Sequence, residues 1–253
     1  MKRHKSVILL STLLAALFFV SCDKADQPTY TTTLLRLATV VETPYAASLS
    51  IDCTGESFII EGFSTPADIQ KYGLRNGARV FAQITAKITG SNDNVSFSLD
   101  RIDSLTVNPI RSDEYDASHG SYLYFGPLAL NGITYPQIWS NGNFFNIVPV
   151  FYPVDDASYN VSLHTDCIMG DTLLLRLTSD IPGSDLKSDA HPTLFTYDIS
   201  QISDTTFTSA LADLDTDSIY VTVATCDTLS IKNGNATIIT TGSSVTTRIH
   251  NPY

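Results

Sequence analysis

Residues 79–89 carry the most restrictive pattern in the chain. Val80, Ala82, Ile84, Ala86 and Ile88 alternate with Phe81, Gln83, Thr85, Lys87 and Thr89. A period of two sends one set of side chains to each face of a strand, whereas in a helix it would spread the apolar set around the whole circumference. The segment is therefore a strand with one buried side, and that side requires a second layer. No stretch of the 253 residues shows a long amphipathic helical pattern, only 16% of the residues are charged, and Thr, Ser, Tyr, Phe, Val and Ile are plentiful. Together these features predict an all-β chain of short strands.

The sequence on either side of this strand reads as one small β unit. Thr33–Val41 and Tyr45–Ile51 are expected strands, separated by Glu42-Thr43-Pro44, where proline removes a ladder donor and holds its predecessor extended. Ser64-Thr65-Pro66 supplies an N-cap hydroxyl with proline in the first turn, and Gly73 closes the segment after Ile69, Lys71 and Tyr72, which predicts one short helix. Gly77 turns the chain into the 79–89 strand, and Gly90-Ser91-Asn92-Asp93-Asn94 reverses it. Val95, Phe97 and Leu99 then begin the return, and Leu105 and Val107 continue the apolar face beyond Asp100–Ser104.

Pro109 to Gly120, with Asp113, Glu114 and Asp116, interrupts the apolar pattern and reads as a boundary between a first domain over 31–110 and a second over 111–253. Strands are expected in the second at Tyr122–Phe125, Phe144–Tyr152, Tyr159–Leu163, Thr172–Leu177, Thr193–Asp198, Ile219–Thr225, Thr228–Lys232 and Ala236–Thr241. Asn233-Gly234 suits a type I′ hairpin turn between the last two, and Thr206–Leu214 reads as a helical turn or a strap. So many short strands with turn signals predict a sandwich.

The first 21 residues constrain location. Lys2, Arg3 and Lys5 precede the apolar run Val7–Val20, which is too short to span a bilayer comfortably and reads as an export signal. Phe19-Val20-Ser21-Cys22 resembles the lipobox of bacterial lipoproteins, with Phe19 in place of the usual Leu, and implies acylation of Cys22. The plainer alternative is an ordinary signal peptide cut near a chance cysteine. Residues 22–30, with Asp23-Lys24-Ala25-Asp26-Gln27-Pro28 directly after Cys22, fit a hydrophilic tether. The expected location is the cell envelope, as an outer-membrane lipoprotein facing the periplasm or the exterior. Without Lys2, Arg3 and Lys5, 12 basic residues face 26 acidic ones. Nucleic acid is thereby excluded as an expected partner, and acyl chains on Cys22 become the expected membrane link. Cys53, Cys167 and Cys226 are widely spaced, match no zinc pattern and read as small buried side chains.

The order of these features, a lipobox, a small barrel ending near Val107 and then a sandwich, resembles the NigD-like lipoproteins of Gram-negative anaerobes. The local matches are Gly77-Ala78-Arg79-Val80, the segment Ser162-Leu163-His164 to Gly170-Asp171-Thr172-Leu173-Leu174-Leu175, and Phe195-Thr196-Tyr197-Asp198-Ile199-Ser200. The resemblance implies an oligonucleotide/oligosaccharide-binding (OB)-type barrel followed by an immunoglobulin-like sandwich. It carries an association with bacteriocin gene clusters and no established activity.

Chemistry-bearing motifs are sparse. There is no G-x-S-x-G, Walker loop, H-E-x-x-H or C-x-x-C, and His119, His164, His191 and His250 are scattered, so neither a catalytic residue nor a cofactor is expected. Asp213-Leu214-Asp215-Thr216-Asp217 begins like a calcium loop, but Ser218 and Ala224 stand where Gly and the bidentate Glu belong, so a solvated loop is expected and no metal. Asp185, Asp189 and His191 form a looser polar cluster with the same reading. Trp139 lies near Tyr135, Asn141 and Asn143, a combination that could stack on a sugar ring and bond its hydroxyls as a glycan or partner contact. A core position for Trp139 in the sandwich is the simpler alternative. Five tripeptides beginning at Asp103, Asp171, Asp204, Asp217 and Asp227 resemble O-glycosylation acceptors of exported bacterial proteins. The sequence thus predicts a non-enzymatic envelope lipoprotein that binds a protein or a glycan. A bacteriocin-associated protective factor is the alternative, and an enzyme comes third.

Overall fold

The computed structural model describes residues 29–89, 94–115, 123–151, 161–179, 191–214, 216–226, 228–232, 235–239 and 242–253. The export segment expected over 1–21 and residues 22–28 of the expected tether lie outside these residues, while Thr29 and Tyr30, expected in the tether, open the first strand. The first unit contains β1 (Thr29–Glu42), β2 (Ala47–Ile51), β3 (Ser57–Phe58), β4 (Arg79–Thr89) and β5 (Asn94–Ser104), with helix α1 (Pro66–Lys71) between β3 and β4. The strands pair in the order β3-β2-β1-β4-β5, all antiparallel. Just past β3, Glu61 bridges Ser98 in parallel, and its N–H donates to the Phe97 carbonyl at 2.8 Å, which closes the ring. Five strands closed this way, with a helix between the third and fourth, form the OB-type barrel that the resemblance implies.

The alternation read from residues 79–89 sets the barrel core. Val80, Ala82 and Ile84 are fully buried with Ala38, Val40, Leu49, Ile60 and Phe63. Each large apolar side chain so placed contributes about 1.5–3 kcal/mol of transfer free energy. At the foot of the barrel, α1 is built as its sequence dictates. Asp68 N–H donates to Thr65 Oγ1, Asp68 Oδ2 accepts from Thr65 N–H, Pro66 opens the first turn, and Gly73 ends the segment at φ +66°. The return strand is unbroken where an interruption at Asp100 was expected. A bulge takes up Asp100 as an extra residue, so that Leu99 faces Ile84 and Ile102 faces Ala82 on the same inner side.

The second unit contains β6 (Val107–Asn108), β7 (Ile110–Arg111), β8 (Tyr124–Phe125), β9 (Leu128–Leu130), β10 (Ile133–Tyr135), β11 (Ile138–Asn141), β12 (Phe144–Ile147) and β13 (Pro149–Phe151). It continues with β14 (Val161–Met169), β15 (Thr172–Ser179), β16 (His191–Pro192), β17 (Phe195–Asp198), helix α2 (Thr205–Ala212), β18 (Ser218–Thr225), β19 (Thr228–Lys232), β20 (Asn235–Ile239) and β21 (Ser244–His250). One sheet runs β11-β12-β17-β6 and the other β21-β18-β15-β14-β7. Phe145, Ile147 and Tyr197 of the first and Leu163, Leu173, Leu175, Leu177, Val221 and Val223 of the second share one buried core. This is a two-layer sandwich.

Several expected boundaries move for identifiable reasons. Val107–Asn108 lies parallel to β17 and Ile110–Arg111 parallel to β14, so the sandwich sheets begin at Val107. Pro109, with no N–H to donate, stands where the chain crosses between them. The single strand expected over Phe144–Tyr152 is two, because Pro149 breaks the ladder and Val148 turns toward the barrel. Strands β7, β9, β10, β11, β16 and β21 have no counterpart in the sequence reading. Lys232 pairs with Asn235 as a two-residue hairpin requires, although Asn233-Gly234 themselves lie outside the described residues.

Candidate functional site

The outer face of the β11-β12-β17 sheet packs on the outer face of the barrel, and the most elaborate constellation in the described chain is sealed between them. Cross-strand register places Trp139 beside Asn146 and Asn146 beside Thr196 in one row. Asn141 and Phe144 form the next row on the same face. The alternate residues Ile138, Ile147, Phe145 and Tyr197 point into the sandwich core. From the barrel, Leu37 of β1 and Phe81 of β4 meet Tyr135, Trp139 and Val148, with Leu105, Leu128, Leu130, Ile133 and Leu194 around them.

At the centre is an ion pair between Asp52, just after β2, and Arg79, the first residue of β4. Both side chains are fully buried, and Arg79 Nη1 donates to Asp52 Oδ1 at 2.8 Å. The same carboxylate accepts from Trp139 Nε1 at 2.8 Å, from Asn141 Nδ2 at 2.6 Å and from Asn146 Nδ2 at 3.4 Å. Arg79 also donates to Thr39 Oγ1 at 2.8 Å and lies 5.7 Å from the centre of the Phe144 ring. Thr196 Oγ1 donates to Asn146 Oδ1 at 2.7 Å. A buried charge persists only when paired and hydrogen-bonded, and here the barrel supplies the ion pair while the sandwich supplies the amides and indole that complete it.

This placement corrects the glycan reading of Trp139, Tyr135, Asn141 and Asn143. Tyr135 is 0% and Trp139 4% exposed, so neither ring offers a face to a sugar. Their rings lie 5.1 Å apart, and Tyr135 Oη accepts from the Leu37 N–H at 3.3 Å. Burial pushes the Tyr135 phenol above its ordinary value. Asn141 is committed to Asp52 and to the Ser50 carbonyl. Asn143 stands apart in the β11–β12 turn, where its carbonyl accepts from Ile199 N–H at 3.1 Å. Three of the four residues do converge, and the surface they contact is the chain's own barrel. Sequence reasoning missed Asp52 and Arg79. The one local signal was a charged residue opening the alternating strand.

A second polar group lies where the chain crosses between the sandwich sheets. His164 is 5% exposed; its Nδ1 is 3.2 Å from the Asp113 carbonyl and 3.3 Å from Asp113 Oδ1, and its Nε2 is 3.3 Å from Thr178 Oγ1. Tyr115 packs its ring 5.8 Å away. Beside it a notch of about 340 Å³ is lined by Asn108, Pro109, Arg111, Val161 and Ser162. Carboxylate, imidazole and hydroxyl follow the order of a hydrolytic relay, but both contacts are long and the Asp113 side chain is 63% exposed. The geometry suits pinning the crossing segment to β14 better than activating a nucleophile. His119 and Asp215 lie outside the described residues, and among the described residues no three His, Cys, Asp or Glu gather as a metal site. Of the acceptor-like tripeptides, Ser104 and Thr205 are exposed, while Ser218 Oγ accepts from Arg248 Nε at 2.8 Å.

No protein-family model matches the chain, and no curated protein matches it by sequence. Among solved structures, it is similar to a protein designated a lipoprotein from Bacteroides fragilis, at 12% identity and a TM-score of 0.51, over 88% of this chain and 99% of that one. It is also similar to a NigD-like immunity protein from Bacteroides caccae, at 11% identity and a TM-score of 0.45, over 89% of this chain and 99% of the other. A toxin-related protein from Parabacteroides distasonis is similar at 13% identity and a TM-score of 0.46, over 85% and 93% of the two chains. At such identities a likeness speaks for fold alone. The chain therefore shares the fold of the Bacteroides fragilis protein.

Proposed function

We propose that the protein is an envelope lipoprotein, anchored through Cys22, that binds a partner through its barrel and performs no chemistry on it. The observation that carries this reading is where exposed apolar side chains remain. Among the described residues, six of the nine large exposed hydrophobic ones, Tyr30, Val41, Tyr45, Ile59, Tyr72 and Val95, belong to the barrel, which favours the barrel as the interaction surface. Tyr45 is 92% exposed in the turn after β1. The Ala47 N–H donates to the Ser64 carbonyl and Glu42 N–H to Asn76 Oδ1, which brings the α1 end, with Tyr72 and Val41, to the same pole. Exposed aromatic residues on a rigid support are what a recognition surface uses, whereas scattered single residues need no explanation.

The partner is an envelope protein or a glycan. A photo-crosslinking residue in place of Tyr45, introduced in living cells, is expected to yield one discrete adduct, and the same residue in place of Tyr220 on the sandwich is expected to yield none. Equal labelling from both positions, or from neither, rejects the barrel as the binding surface. Protease shaving of the same cells tells which membrane face the adduct occupies.

A further inference from the structure

We infer that the end of the barrel where β1 begins rests on a lipid surface, and that Tyr30, Ile88 and Val95 are the residues that touch it. The inference rests on the lipid-anchor reading above. Strand β2 covers β1 only from Ala38 to Glu42, whereas β4 stays paired to β1 down to Thr29 and β5 follows β4 to Asn94. Three strands therefore run on past the closed part of the barrel. At their end Tyr30 lies opposite Ile88, and Ile88 opposite Val95. Four residues further in, the same face carries the row Leu34, Ile84 and Leu99, which belongs to the core. A row that would be interior deeper in the barrel is open here: Tyr30 is 36% and Val95 45% exposed.

Charge and chain length both point to lipid as what covers this row. Thr29–Thr33, Thr85–Thr89 and Asn94–Ser98 contain one charged residue, Lys87, in a chain with 26 acidic residues. Carboxylates border these segments rather than lie in the end row: Asp100 Oδ2 accepts from Thr85 Oγ1 at 2.7 Å, and exposed Glu61 bridges Ser98. The end row itself, a tyrosine and two aliphatic residues, carries no charge and suits the interface of a zwitterionic bilayer, where tyrosine concentrates, while the carboxylates bordering it disfavour an anionic one. Thr29 follows Cys22 by seven residues, so acyl chains on Cys22 hold this end within about 25 Å of the bilayer. The opposite pole, with Val41 and Tyr45, lies about 35 Å away along β1. Lipid contact at one end therefore leaves the proposed partner surface free and fixes the direction in which it faces.

The test uses protein extracted from its own membranes, with intact mass first reporting acylation at Cys22. The acylated Tyr30→Trp variant is then placed in phosphatidylcholine vesicles whose acyl chains carry bromine. Buried Trp139 gives a constant background and reports that the domain junction is intact. The emission added by Tyr30→Trp is expected to be quenched, the emission of Tyr220→Trp is expected to be unaffected, and adding Val95→Asp to Tyr30→Trp is expected to abolish the quenching. Should Tyr30→Trp fail to fold, Val95→Trp replaces it. Acylated protein whose added emission is unquenched, or shifted to the blue without quenching as a second copy would cause, overturns the lipid contact and leaves the anchor standing. A mass showing no acyl group on Cys22 overturns the anchor and the inference together.

Discussion

Asp52 accepts hydrogen bonds from four side chains, one in its own barrel and three in the sandwich. Removing a partner from a buried ion pair strands the other charge without water, which costs about 3–5 kcal/mol. Asp52→Ala is expected to lose that much in urea unfolding and to shift Trp139 emission to the red as its indole N–H loses its acceptor. A loss below about 1 kcal/mol would mean that the network contributes little, as exposed pairs do. Next to it, Cys53 sits at φ +63° with its residue exposed, not buried as expected, and desolvation beside the junction together with the Asp52 carboxylate pushes its thiol up to about 11. Near neutral pH iodoacetamide should therefore alkylate it roughly 20-fold more slowly than an ordinary thiol, the scarcity of thiolate being partly offset by its greater nucleophilicity. The rate should climb until about pH 11, and a plateau near pH 8.5 would contradict the assignment.

At the scale of elements, α1 was legible because everything it requires is local: Thr65, Pro66, Asp68 and Gly73 occupy cap, first turn and stop within nine residues. The Lys71 ammonium, the Thr65 hydroxyl and the amides of Ser64 and Thr65 hold the Asp68 carboxyl below the usual carboxylate range. With its folded value below the unfolded value near ~3.9, its stabilisation is present above about pH 4 and is lost as pH falls further. The stability gap between the wild type and Asp68→Asn should accordingly narrow below about pH 4, measured by denaturant unfolding from pH 6 down to pH 2. A gap that stays constant would show that Asp68 acts through shape and not charge. Strands β6, β7 and β11 were not legible, because each is short and exists through ladder bonds or packing with residues far away in the chain.

For the whole molecule, the sealed junction predicts that barrel and sandwich unfold as one. Calorimetry of the wild type is expected to give a single transition, and Asp52→Ala two, with Trp139 emission following the first. Two transitions in the wild type would show that the junction is weaker than its burial implies. By itself the sequence determined the all-β class, the alternating core strand and the capped helix, because those follow from periodicity and from cap and turn chemistry within a few residues. It also brought Trp139, Tyr135 and Asn141 forward as a group. Only the tertiary structure decided what that group faces. Aromatic rings beside amides suit a sugar and a buried carboxylate equally, and the choice lay with Asp52, held by Arg79, which reaches Trp139 only once the barrel has closed and docked.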